Sequence, residues 1–394
     1  MTTIGYGASV WGAAPAPAGA AVRAMRVPLP SGYSRCVAPA VPERSEVTGT
    51  VTELKRRPPI DPRPTGTTAL PMLDVYMPMM KSSAIVSAAR LGLFEALAGG
   101  MLAAADLAAR IASNLDGVIA LADFLASIGY LEKTPSGYAN RPSTQRWWTS
   151  EGQIDYTTGA LWMNEVWSMM SDLPQAVRLG GPRQTLWTRM AEEPRLGPLF
   201  SRFMHTFAQD LGPDLVDCVP VRPEHREMLD LGGSHGLHSM RFCRRYEQLH
   251  GVILDLPTAL IKTGADLAQA GLAERIRLAP GNLLDLAWAR EQHYDLVFYL
   301  SVGYNQTDHD NRRVLNEVFR SLRPGGLLVI HDYLADAVLS PWNAAFRLTL
   351  LLETGTRTHS HDEYLGWLRQ AGFADVDRIE LDPVEKGSLL IARR

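Results

Sequence analysis

The stretch that most restricts what this chain can become is Met228-Leu-Asp-Leu-Gly-Gly-Ser-His-Gly-Leu-His-Ser-Met-Arg-Phe. It reads as a short apolar strand, a tight glycine turn and the opening of a helix. Gly232, Gly233 and Gly236 remove side chains where the backbone must bend sharply and a ligand must come close. Asp230, at the strand's end, sits beside that turn. About one βα unit later, Gly251-Val-Ile-Leu-Asp-Leu-Pro reads as a second buried strand ending in Asp255. An acid at a strand tip, roughly 20 residues after a glycine turn, is placed to grip the hydroxyls of a nucleotide ribose. No Lys-Ser/Thr pair follows the glycines, which argues against a phosphate-cradling P-loop.

From Arg226 onward, strands and helices alternate. Strands are predicted over 227–231, 251–255, 275–279, 294–300, 325–331, 376–380 and 386–392. Such alternation calls for a mostly parallel sheet with helices on both faces and ligand at the carboxyl ends of the strands.

Before this α/β half lies a different pattern. Residues 1–68 are rich in Ala, Pro, Gly and Ser without a sustained period, and read as a disordered tail. Over 69–220, helices are predicted at 76–91, 105–111 and 115–128, followed by a small hairpin. Helix, helix, helix and wing is an arrangement most often read as DNA-binding. Its third helix would then bring basic residues to the major groove. Between Arg110 and Lys133 there is no Lys or Arg, while Leu115, Val118, Ile119, Leu121, Phe124, Leu125 and Ile128 crowd the segment with apolar side chains. A nucleic-acid partner is therefore not expected. Two further helices, over 156–179 and 198–219, carry Trp162, Met163, Trp167, Met204 and Phe207.

Further blocks follow Asp255 in a fixed order: Pro280-Gly281-Asn282-Leu283-Leu284, then Tyr294-Asp-Leu-Val-Phe-Tyr-Leu, then Leu322-Arg-Pro-Gly-Gly-Leu-Leu-Val-Ile-His-Asp. Together with the glycine turn they resemble the class I S-adenosylmethionine (SAM)-dependent methyltransferases. More narrowly, residues from about 70 to 394 resemble the small-molecule O-methyltransferases of bacterial antibiotic and plant phenolic pathways. The resemblance implies a Rossmann-like SAM-binding domain over 221–394, preceded by a mainly helical, winged-helix-like domain that joins two subunits into a homodimer. It implies that Asp230, Gly232, Gly233 and Gly236 shape the loop near the methionine part of SAM, and that Asp255 accepts from the ribose hydroxyls. Leu256 and Leu283 would border the adenine, with Ser301 at the next strand tip. Asn282 stands where the family usually has an acid for the adenine amine, and keeps only an uncharged acceptor. Trp162, Met163, Trp167, Met204 and Phe207 would cover a flat substrate slot, with Asn305 also at the substrate and Arg357 either facing it or anchoring its own loop.

The catalytic block departs from the family. The histidine that deprotonates the substrate hydroxyl falls, on alignment through Asp310-Asn-Arg-Arg, on Tyr304. A tyrosine of ordinary pKa about 10 is a weak base at neutral pH. Three readings stay open: methylation of carbon, with Tyr304 orienting or relaying a proton, as in the carbon-methylating bacteriochlorophyllide branch; methylation of an already acidic phenol, or with His331 or Asp332 as base; and non-methylating chemistry (cyclase, decarboxylase or hydroxylase type) that retains SAM. A ligand-sensing winged-helix regulator is the competing class. His331, Asp332, His359 and His361 could form an iron site, but a surface loop is the simpler reading of the His-x-His pair, and no metal is expected.

The net charge of −3 gives no global attraction to nucleic acid or acidic membrane. No apolar run reaches the roughly 18 residues of a membrane helix. Cys36, Cys218 and Cys243 form no CxxC pair, so neither a disulfide framework nor a zinc site is supported. A cytoplasmic enzyme acting on a small molecule is the expectation.

Overall fold

The computed structural model describes residues 33–34, 72–151, 156–335, 340–381 and 386–394. These fall into two compact units, 72–160 and 161–394, with Tyr33–Ser34 in the second. The division comes earlier than the 220/221 boundary read from the sequence. Apart from Tyr33–Ser34 (β1), the tail expected over 1–68 lies outside the described residues.

The first unit runs α1 (Leu73–Leu91), α2 (Leu93–Ala96), α3 (Ala104–Arg110), α4 (Leu115–Ser127), the hairpin β2 (Leu131–Thr134) and β3 (Gly137–Asn140), and α5 (Pro142–Trp148). Gly92, left-handed at φ 71°, ends α1. Asn114 opens α4 by accepting from the Gly117 amide at 3.1 Å. Val118, Ala122 and Leu125, spaced four and three apart, turn one face of α4 into a core with Ala88, Leu93, Phe94 and Leu107. The start of α1 does the opposite. Met72, Val75, Tyr76 and Met79 lie at i, i+3, i+4 and i+7, and run from 74% exposed at Met72 to 43% at Met79.

The second unit begins with α6 (Thr157–Met170, its first turn in the other unit), α7 (Leu173–Leu179), α8 (Leu186–Glu192) and α9 (Leu196–Cys218). The single helix read over 156–179 is broken at Ser171-Asp172. Pro174 sits in the first turn of α7, where its missing N–H costs nothing, so it opens a new helix rather than extending the old one. The short helices α5 and α8 were not anticipated.

Then come β4 (Glu227–Leu231), α10 (Leu237–Arg245), β5 (His250–Asp255), α11 (Thr263–Gln269), β6 (Ile276–Pro280), β7 (Tyr294–Leu300), α12 (Asp308–Ser321), β8 (Leu322–Asp332), α13 (Pro341–Glu353), α14 (His361–Ala371), β9 (Asp375–Glu380) and β10 (Ser388–Arg393). The sheet order is β1-β9-β10-β8-β7-β4-β5-β6. β10 is antiparallel to both neighbours, and the other pairs are parallel. All seven strands predicted from Arg226 onward are present, with ends shifted by a few residues. Both sheet faces are covered, and the strands divide their side chains accordingly. Leu296, Phe298 and Leu300 of β7 enter one core, whereas Val297 and Tyr299 enter the other.

Strand order reverses between β4, which leads outward through β5 and β6, and its neighbour β7. A crevice at such a switch point is where open α/β sheets bind ligands. Among the described residues, no helix is long and apolar enough to cross a membrane.

Candidate active site

The tips of β4 and β7 are locked together at Gly232. Its φ of 75° suits glycine, and a Cβ there would stand 2.6 Å from Cγ2 of Val302. Asp230 turns inward from β4. Its carboxylate accepts from the Ser239 hydroxyl at 2.6 Å, is 2% exposed, and lies against Gly233, where a Cβ would meet it at 2.5 Å. Burial pushes this carboxyl up to about 7. Asp230 thus ties the first turn of α10 to the strand.

Asp255, half-buried at the tip of β5, accepts from the backbone N–H of Ser234 at 2.9 Å and of Leu256 at 2.7 Å. Those bonds aim it at the glycine loop, while burial raises its pKa to about 6. Leu256 and Leu283 lie half-buried beyond it. Asn282 is exposed, and its Oδ1 accepts from the Leu284 N–H at 2.9 Å to open the short turn Leu283–Asp285. A half-buried acid, apolar flanks and a glycine-rich turn fit a nucleoside, and Asp255, held by two backbone amides, is the most firmly placed of these groups.

Beyond the tip of β7, Ser301 has φ 58° and Gly303–Asn305 forms a tight turn. The Ser301 N–H donates to the His331 carbonyl at 2.9 Å, and its hydroxyl meets Nδ1 of the same histidine at 2.9 Å. His331 Nε2 lies 2.6 Å from the Lys386 carbonyl. A carbonyl can only accept, so Nε2 carries the proton and Nδ1 accepts from Ser301. Burial holds the imidazole neutral, its pKa lowered to about 4. Asp332 is equally occupied: it accepts from the Tyr333 N–H at 2.6 Å and from the Tyr364 hydroxyl. Burial lifts it to about 7.

Gly303 packs directly on that pair; a Cβ would come within 1.9 Å of the Tyr364 oxygen. Asn311 fastens the turn from below. It donates to the Gly303 carbonyl at 3.0 Å while accepting from the Tyr299 hydroxyl at 2.9 Å. Tyr304 is buried, with Phe346 edge-on at 4.9 Å and Tyr333 at 6.2 Å. Burial drives its hydroxyl well above the ordinary tyrosine pKa, so the group is neutral. Asn305 is half-buried in the same turn.

The residues expected over the substrate divide. Trp162 is 1% exposed and packs with Phe200 at 5.0 Å and Phe203 at 6.1 Å, in a core shared with Met169, Leu186, Met190 and Leu196. Met163 and Trp167 on α6 and Phe207 on α9 are open, and Met204 is half-buried. Arg357 makes a two-pronged pair with Glu363, at 3.1 and 2.6 Å, at the capping box of α14.

His359 Nε2 lies 3.2 Å from the Gln306 carbonyl. Among the described residues, no group of three or more His, Cys, Asp or Glu side chains has a geometry that could hold a metal ion. His205, His235 and His238 form a row with ring centroids 5.4 and 5.9 Å apart, running from α9 to α10. Sequence reasoning missed Ser239, Asn311, Tyr364 and Glu353. For Glu353 a signal existed, an acid ending the apolar run Leu350-Leu-Leu.

A sheet with this order, a glycine turn at its switch point and an acid on the next strand make a Rossmann-like nucleoside-binding domain, and its match to a methyltransferase family makes the chain a SAM-dependent methyltransferase. The chain belongs to the O-methyltransferase family: the model of the O-methyltransferase domain matches residues 172–374, and that of the O-methyltransferase dimerisation domain matches 74–150. The first unit is therefore a dimerisation domain of that family.

Among relatives, 3-hydroxy-5-methyl-1-naphthoate 3-O-methyltransferase of Streptomyces sahachiroi is 28% identical over 312 residues, covering 77% of this chain and 89% of that protein. L-tyrosine C(3)-methyltransferase of Streptomyces lavendulae is 25% identical over 229 residues, 57% of this chain and 59% of that one. Human N-acetylserotonin methyltransferase, solved with SAM, shares the fold at a TM-score of 0.73 and 19% identity, over 84% of this chain and 99% of the other.

Proposed function

We propose that the protein transfers the methyl group of SAM to a hydroxyl of a small aromatic or polyketide-like metabolite, acting as a homodimer. The observation that carries this reading is the pairing of two sites at strand tips on either side of β4: the backbone-aimed Asp255 at β5, and the aromatic turn around Tyr304 at β7. When bound, SAM supplies a sulfonium-activated methyl group open to in-line displacement.

In this reading Asp255 accepts from the ribose hydroxyls, Leu256 and Leu283 border the adenine, and Asn282 contributes through its side-chain amide. Gly232, Gly233 and Gly236 leave room for the methionine part, with Asp230 and Ser301 bracing the loops. Tyr304 and Asn305 orient the acceptor. His331 and Asp332, each already bonded within the protein, hold the turn in place. Met163, Trp167, Met204 and Phe207 cover the acceptor, Trp162 supports that cover from behind, and Arg357 anchors the loop before α14. Holding the two reactants on either side of the β4 tip supplies much of the rate. The family assignment and the naphthoate-methylating relative support the acceptor class.

The test is calorimetric titration with SAM and S-adenosylhomocysteine, then incubation with deuteriomethyl SAM and a panel of hydroxynaphthoates and hydroxyanthraquinones. Micromolar binding of both ligands and label on oxygen are the expected results. Absence of binding would overturn the reading. Tyr304 at the base position, with the tyrosine C(3)-methylating relative, favours carbon as second acceptor, which NMR of the product would reveal.

The apolar stripe Met72, Val75, Tyr76 and Met79 supports the dimer. Val75→Asp with Met79→Asp is expected to give a folded monomer by light scattering, and an unchanged oligomer would remove this face from the interface.

A further inference from the structure

The acids and histidine around Tyr304 are committed within the protein, with one exception. Glu353, the last residue of α13, is 8% exposed and makes no hydrogen bond or ion pair among the described residues. Its placement is not incidental. Phe346, on the same helix, meets the Tyr304 ring edge-on at 4.9 Å. Positions 346, 350 and 353 share one helical face at i, i+4 and i+7. Glu353 therefore stands two turns along the strip that covers Tyr304, close enough for its charge to act on the Tyr304 hydroxyl. A largely buried carboxyl with no partner in the protein is costly to ionise, and its oxygens are not among the fully enclosed polar atoms, so they still meet solvent.

We propose that Glu353 is the general base that takes the proton from the acceptor hydroxyl, in place of the histidine this chain lacks. This rests on the reading of the chain as methylating oxygen. The acceptor O–H bond breaks and its proton passes to the Glu353 carboxylate. The oxygen lone pair forms the new C–O bond as the methyl–sulfur bond breaks, its electrons staying on sulfur. The positive sulfonium and negative carboxylate thus become a neutral thioether and a neutral acid, which returns its proton to water after the product leaves. The Tyr304 hydroxyl, neutral throughout, orients the acceptor oxygen.

Burial, with no cation set against it, pushes the Glu353 carboxyl up to about 7, where a base serves well at neutral pH. The titratable group facing it is Tyr304, itself faced by Tyr333 and Asp332. Because the folded-state pKa is raised, ionisation costs stability. The cost is absent below the ordinary value of 4.5, grows as pH rises towards about 7, and is full above it.

The test uses the full chain as wild type, Glu353→Gln and Glu353→Asp, with 3-hydroxy-2-naphthoate and a more acidic nitrated analogue as acceptors. Glu353→Gln should bind SAM within about twofold of wild type while kcat falls by about 100- to 10,000-fold. Its kcat/KM should lose the rise through pH 7, the acidic acceptor should restore much of the rate, and Glu353→Asp should keep part of the activity and the pH limb. The Tm of Glu353→Gln at pH 8 should equal or exceed that of wild type, because the ionisation cost is gone. Unchanged turnover, a retained pH limb, or losses of Tm and SAM affinity that match the loss of rate would each overturn the proposal. Wild-type protein that binds SAM yet methylates no hydroxyl would fail the parent reading, and the base with it.

Discussion

Asp255→Ala is expected to weaken SAM binding by roughly 30- to 1,000-fold, from the loss of about 2–4 kcal/mol in hydrogen bonds to a charged acceptor. The carboxylate sits at the end of β5 with the Ser234 and Leu256 amides already donating to it. It is therefore fixed before any ligand arrives, and little entropy is lost in forming the ribose contacts. The pH dependence follows from its raised pKa of about 6. Above that value the group is ionised and accepts fully; below it, protonation removes an acceptor, so wild-type affinity should fall as pH drops through 6. Calorimetry across pH 5 to 8 checks both points. An alanine variant that binds normally, or keeps a pH dependence like that of wild type, would reassign the ribose contact.

Gly303→Ala carries the other large effect, on fold and turnover together. The added methyl would overlap the Tyr364 oxygen, which is bonded to Asp332 and fully buried. No exposed rotamer offers relief. Overpacking costs about 1–3 kcal/mol, and breaking a buried bond to a carboxylate adds about 1.5–3 kcal/mol. A loss of roughly 3–5 kcal/mol in chemical denaturation is expected, with activity falling as Tyr304 is displaced. Combining Gly303→Ala with Tyr364→Phe removes the clashing oxygen and should recover part of the loss. A strictly additive double mutant would show that the two residues do not couple.

The α/β half was legible because its signals are local and strong. Runs such as Tyr294–Leu300 have no competing period, and the glycine turn with Asp255 at the end of the next strand points to a nucleoside site. The break at Ser171-Asp172 is harder to see, since Met and Trp continue the helical spacing up to it and a proline marks a kink as readily as a helix start. Residue roles at the catalytic end depend on which way a side chain turns. His331 and Asp332 share a strand tip in the sequence, but only the bonds to Ser301, Lys386, Tyr364 and Tyr333 reveal how fully each is engaged. Glu353 is far from the catalytic block along the chain and joins it only because α13 packs Phe346 against Tyr304.

The contact between Gly232 and Val302 has a bearing on how such a chain can diversify. One branched side chain fills the space that the turn before α10 leaves open, and the next residue begins the turn that carries Tyr304. Exchanges at Tyr304 or Asn305 that retarget the acceptor leave this joint intact. An exchange at Val302 cannot be selective: a smaller residue loosens both turns and a larger one spreads them. Lineages that swap acceptors should therefore vary on either side of position 302 while position 302 itself drifts little, and the donor's KM should respond to changes there as strongly as the acceptor's.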